Sequence, residues 1–81
     1  MVRLTYGVLP SLEDFEAAFR RETVSTKGWY RISNCKRVGT GSFTCAELWN
    51  ELDMATSENE CTDESLDWAS CILYTLGFEW I

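Results

Sequence analysis

Three hydroxyl residues, Ser11, Thr44 and Thr62, each stand directly before apolar residues at helical spacing, and they divide the chain into helical segments between two alternating ends. A hydroxyl in this place accepts a hydrogen bond from a backbone N–H of the first helical turn, so each is a start signal. After Ser11, Asp14 stands three residues on, and Leu12, Phe15, Ala18 and Phe19 fall on one face. This predicts a helix from about Leu12 to Glu22. Its acids Glu13, Asp14 and Glu16 precede Arg20 and Arg21, the order that complements the helix dipole. After Thr44, Glu47 completes a capping box, Phe43 is spaced to staple onto Leu48, and Cys45, Leu48, Trp49 and Leu52 make the apolar face. After Thr62, Asp63 and Glu64 fill the first turn, while Trp68, Cys71, Ile72 and Tyr74 make the second half apolar nearly all round. Such a helix is a central core element or part of an interface. Gly77 is placed to end it in the left-handed conformation, with Phe78 packing back on the last turn.

The ends alternate with the period of a strand. Val2, Leu4, Tyr6 and Val8 interleave with Arg3, Thr5 and Gly7, which predicts a strand with one buried face, stopped by Pro10. Phe78-Glu79-Trp80-Ile81 alternates as well and is placed to pair with that strand. Between Trp29 and Val38, apolar Trp, Tyr, Ile, Cys and Val stand among basic residues. That composition favours one or two further strands, with Ser33-Asn34 as a bulge or turn. The expected architecture is a single α+β domain over residues 1–81, about three helices packed on a short two- to four-stranded sheet.

With 46% hydrophobic residues and four Trp in 81 positions, one core can form without metal or crosslink. Cys35, Cys45, Cys61 and Cys71 follow no zinc spacing, and the chain contains no His. Reduced thiols are expected. Met1 to Pro10 lacks the basic start, apolar run and cleavage site of a secretory signal, and no apolar segment approaches bilayer thickness. A soluble, cytoplasmic chain with no membrane partner follows as the expectation.

Charge is divided by position. Residues 1–37 hold all seven basic side chains and four acids, for a net +3; the rest holds nine carboxylates and no base, which brings the total to −6. The lack of His removes the usual proton-transfer side chain and the common base for Ser and Cys nucleophiles. No enzyme activity and no cofactor are expected. From Asp53 to Glu64 the chain imitates a twelve-residue calcium loop, with Ser57 and Asn59 at ligand positions. Ala55 stands where an oxygen donor is required and Glu58 where Gly is required, so an ordinary connection is the better reading. Arg31, Lys36 and Arg37 beside Trp29 and Tyr30 would make a small stacking and phosphate patch, but nine acids elsewhere repel the same polyanion. Direct nucleic-acid binding is disfavoured.

The acids themselves are the remaining candidate. Glu47 and Glu51 lie one turn apart, as do Asp63 and Asp67, with Asp53, Glu58, Glu60 and Glu64 around the corner between the two helices. Carboxylates four residues apart on a helix are about 6 Å apart, near the scale of phosphates along a strand. Capping and solubility account for Glu47, Asp63 and Glu64 one at a time. They do not account for 44 residues without one compensating base. The expected function is a small acidic, non-enzymatic binding protein. Its partner is a larger protein with a basic, nucleic-acid-binding surface, met through Glu47, Glu51, Asp53, Glu58, Glu60, Asp63, Glu64 and Asp67, with Trp49 either an aromatic anchor or, the better reading, a core residue. In size and charge the chain resembles the DNA-mimic inhibitors of phages and mobile elements, anti-CRISPR proteins among them, which implies host-defence evasion in the cytoplasm of an infected cell. The alternative is a homo-oligomeric module in which Trp29, Trp68, Tyr74, Phe78 and Trp80 bury between copies and the acids only solvate. A monomer or a homodimer suits these readings respectively.

Overall fold

The computed structural model describes residues 1–35, 44–57, 59 and 61–81. Among them the order is β1 (Val2–Leu4), α1 (Leu12–Thr23), α2 (Thr26–Ser33), α3 (Cys45–Thr56), α4 (Asp63–Thr75) and β2 (Phe78–Trp80). The first and last elements pair in parallel, with Val2 opposite Phe78, Arg3 opposite Glu79 and Leu4 opposite Trp80. Parallel neighbours need a long crossover, and the four helices of the described residues lie within it. The Cα radius of gyration is 11.5 Å, close to the roughly 12 Å of a packed chain this long.

Each helix starts where a hydroxyl caps it. Ser11 accepts from the Asp14 N–H, Thr44 from Glu47 and Thr62 from Ser65. A fourth cap is Ser25, which accepts from the Gly28 N–H and opens α2. The strand expected from Trp29 onward is therefore a helix as far as Ser33, and the sheet has two strands among the described residues. In a helix Trp29, Ile32 and Cys35 follow one stripe three residues apart, and Ile32 is fully buried while Tyr30 is 69% exposed. A strand would have sent Tyr30 and Ile32 to the same side. Residues 36–38 of the expected strand and Phe43 of the expected staple lie outside the described residues. The first strand is also shorter than its alternation implied. It ends at Leu4, and the Val8 N–H turns back onto the Thr5 carbonyl at 2.9 Å, with Gly7 at φ +85°. Tyr6 and Val8 stay exposed beyond the strand, and Val2 is exposed within it.

The core gathers one stripe from every helix: Phe15 and Phe19 from α1, Ile32 from α2, Leu48 and Leu52 from α3, Trp68, Ile72 and Leu73 from α4, closed by Leu76 and Phe78. Each fully buried Leu, Ile or Phe contributes about 1.5–3 kcal/mol relative to exposure. Gly77 takes φ +96° after α4 and turns Phe78 back into this core, as its placement predicted. The Arg21 guanidinium donates to the Leu76 carbonyl at 3.3 Å, a cation at the negative end of α4.

Cys35 and Cys71 form a disulfide with Cα atoms 5.8 Å apart, which corrects the expectation of four thiols. The last turn of α2 delivers Cys35 to the middle of α4, a meeting that a strand reading of the same segment conceals. Cys45 and Cys61 are free thiols. No helix among the described residues is long and apolar enough to cross a membrane.

Candidate functional site

The acids are positioned by the consecutive helices α3 and α4, whose corner is tied by Ser65. Its hydroxyl donates to the Ala55 carbonyl at 3.0 Å and accepts from the Thr62 N–H at 2.8 Å, so the first turn of α4 is held on the last turn of α3. Asp53 and Asp63 are exposed on the two sides of this corner. Because α3 continues to Thr56, Asp53 and Ala55 are helical residues and the calcium-like spacing belongs to no loop. Glu58 and Glu60 lie outside the described residues.

Glu64 and Asp67, one helical turn apart, line a cleft of about 420 Å³ with Asn34, Trp68 and Cys71. Asn34 follows α2, so this face of α4 opens towards the end of α2 and not towards α3. Neither carboxylate forms an ion pair with a described residue. Arg20 pairs with Glu16 at 2.6 Å, and Arg31 pairs with Glu22. Both pairs stay within the N-terminal half, and the positive end of the α4 dipole supports Asp63 and Glu64.

The acids of α3 are placed differently. Glu47 lies eight residues before Ala55, roughly 12 Å along the axis from the corner. Its carboxylate accepts from the Thr44 N–H at 3.2 Å in the reciprocal cap. Hydrogen bonds from the Thr44 side chain and then its backbone hold the Glu47 carboxyl below the ordinary carboxylate range. Glu51 is half-buried. Trp49, the candidate anchor, is half-buried, and its indole N–H donates to the Pro10 carbonyl at 3.0 Å; this ties the β1–α1 connection onto α3. The structure therefore brings Glu64 and Asp67 together, sets Asp53 and Asp63 at one corner and leaves Glu47 a helix-length away.

Asn34, Trp68 and Cys71 are the cleft residues that the charge pattern did not single out. Their signal was the Ser25-to-Gly28 cap followed by the Trp29, Ile32, Cys35 stripe, which makes α2 a helix that ends beside α4. Among the described residues no group of three or more Cys, Asp or Glu side chains comes together in a metal-holding arrangement. Comparison with protein-family models, curated proteins and solved structures finds no match to this chain.

Proposed function

We propose that this chain is a non-enzymatic binding protein whose acidic C-terminal half occupies a basic, nucleic-acid-binding surface of a larger protein. The observation that carries the reading is the exposed trio Asp63, Glu64 and Asp67 on the first two turns of α4, within 44 residues that contain no Lys or Arg. Charge concentrated in this way steers a basic partner and excludes polyanions. Asp53 at the corner and Glu47 and Glu51 along α3 extend the negative surface, while Trp49 serves packing. Inhibition follows from competition: carboxylates spaced along a helix take the place of phosphates in the partner's groove.

The test is displacement. Labelled duplex DNA bound to a histone mixture is titrated with the chain, and release is followed by fluorescence anisotropy. Release is expected at about 0.05 M salt and is lost at about 0.5 M, where the screening length shortens to a few ångströms. The triple variant Asp63→Lys, Glu64→Lys, Asp67→Lys should release nothing. A variant as effective as the natural chain would end the proposal.

The oligomeric alternative draws on a separate observation. Trp68 and Phe78 are buried within the chain and Trp80 is half-buried, its indole N–H donating to the Val8 carbonyl at 2.9 Å. Tyr30 and Tyr74 remain largely exposed on α2 and α4. Light scattering decides: a salt-insensitive dimer that Tyr74→Ser dissociates supports association, whereas a monomer supports the acidic-surface reading.

A further inference from the structure

The Cys35–Cys71 disulfide is asymmetric in its surroundings. Cys35 is 1% exposed, inside the core, while Cys71 lies on the exposed side of α4 at the wall of the Glu64–Asp67 cleft. Two further observations concern its chemistry. First, Cys61 is exposed and Cys45 half-buried, and both are free thiols; a domain matured in an oxidising compartment pairs its cysteines, whereas one exposed bridge beside two thiols suits a reducing compartment in which the bridge comes and goes. Second, the buried sulfur has polar neighbours besides its bonded partner. Cys35 Sγ lies 3.7 Å from the Arg31 carbonyl and 3.9 Å from the Thr75 hydroxyl, and the carbonyl is an acceptor that only a thiol can use.

We infer that Cys35–Cys71 is a reversible thiol–disulfide device that fastens α2 to α4 when oxidised and releases that joint when reduced. The co-reactant is a low-molecular-weight thiol such as glutathione. Its thiolate attacks the accessible Cys71 Sγ, the S–S bond breaks, and Cys35 leaves as a thiolate that takes a proton. A second thiolate attacks the outer sulfur of the mixed disulfide and frees Cys71, which is protonated in turn. The balance is one protein disulfide and two thiols giving two protein thiols and one small-molecule disulfide.

Release acts on α2 because that helix is eight residues long, too short to hold its form without docking. Its contacts with α1 persist after reduction: Trp29 sits edge-on to Phe19 at 5.5 Å between ring centroids, and Arg31 stays paired with Glu22. The covalent contact with α4 does not persist. The part released is the end of α2 and the two residues beyond it, from Ser33 to Cys35, while Ile32 stays in the core that α1, α3 and α4 share. This inference concerns the joint alone and stands apart from what binds the acidic face.

The experiment places the full chain in glutathione buffers from mostly oxidised to mostly reduced, traps thiols with iodoacetamide and counts labels by intact mass, with hydrogen exchange on the same samples. Two labels should become four across the series and return to two on reoxidation, and amides from Ser33 to Cys35 should exchange at least tenfold faster when reduced while those of α1 remain protected. A Cys71→Ser chain should exchange like the reduced form in every buffer. Two labels throughout would show a fixed structural bridge. Loss of protection in all four described helices on reduction would show a staple of the whole fold, and unchanged exchange would show no device; each of these overturns the inference.

Discussion

At Gly28 the second helix runs against the backbone of the first, and a Cβ there would collide with the Glu22 carbonyl. Two effects oppose each other in Gly28→Ala. Alanine gains about 1 kcal/mol of helix propensity, but the collision partner is main chain and cannot rotate away, so α2 must shift at a cost of about 1–3 kcal/mol. Overpacking wins, and a lower urea midpoint with unchanged slope is the expected reading. A second residue-scale prediction concerns the α3 cap. The folded-state pKa of Glu47 is depressed by Thr44, so the stability it contributes is whole above the ordinary carboxylate range and is lost as pH falls through the lowered value. Thr44→Ala should cost about 1 kcal/mol at neutral pH and return the Glu47 titration, followed by carbon-13 NMR, towards its ordinary position. The free thiols differ as well. Burial first, and then the Glu16 charge against the opposing Arg20, pushes the Cys45 thiol up, so Cys61 should alkylate before Cys45.

Among the elements, α2 separates what local signals convey from what tertiary context decides. The caps at Ser11, Thr44 and Thr62, the glycine stop at Gly77 and the alternation of the two ends are written in short-range chemistry, and all of them are visible in the residues alone. Over residues 29–35, β-branched and aromatic composition competed with a weak stripe of Trp29, Ile32 and Cys35, and composition misleads when only three positions carry the period. Without α2 as a helix, neither the disulfide nor the Asn34 wall of the cleft was legible, because both depend on where its last turn ends. The distinction is testable by mutation. Ile32→Ala should cost about 2–5 kcal/mol, as a buried truncation does, and Tyr30→Ala less than about 0.5 kcal/mol, as an exposed one does. Equal costs would restore the strand. The crosslink gives a third element-scale prediction: Cys35 and Cys71 lie 36 residues apart, and a loop of that length implies roughly 3–4 kcal/mol lost on replacing both with Ser, measured against the oxidised chain by urea unfolding.

For the molecule as a whole, the charge that suits a basic partner works against the fold that carries it. The C-terminal half holds nine negative charges against a net +3 in the other half. Repulsion within the larger set exceeds attraction between the two, since the sum is −6 and a compact state of high net charge repels itself. The ion pairs of Arg20 and Arg31 stay within the N-terminal half, so they relieve none of the strain around α4. Added salt screens interactions beyond a Debye length of about 10 Å at 0.1 M and should therefore raise the thermal midpoint of the free chain. The same salt should weaken capture of a basic partner, which depends on the unscreened field. Opposite responses in one titration series, stability rising while displacement of histone-bound DNA falls, are what an acidic face kept for binding requires. A midpoint that falls with salt would mean that attraction between the halves dominates, and that the carboxylates serve the fold itself.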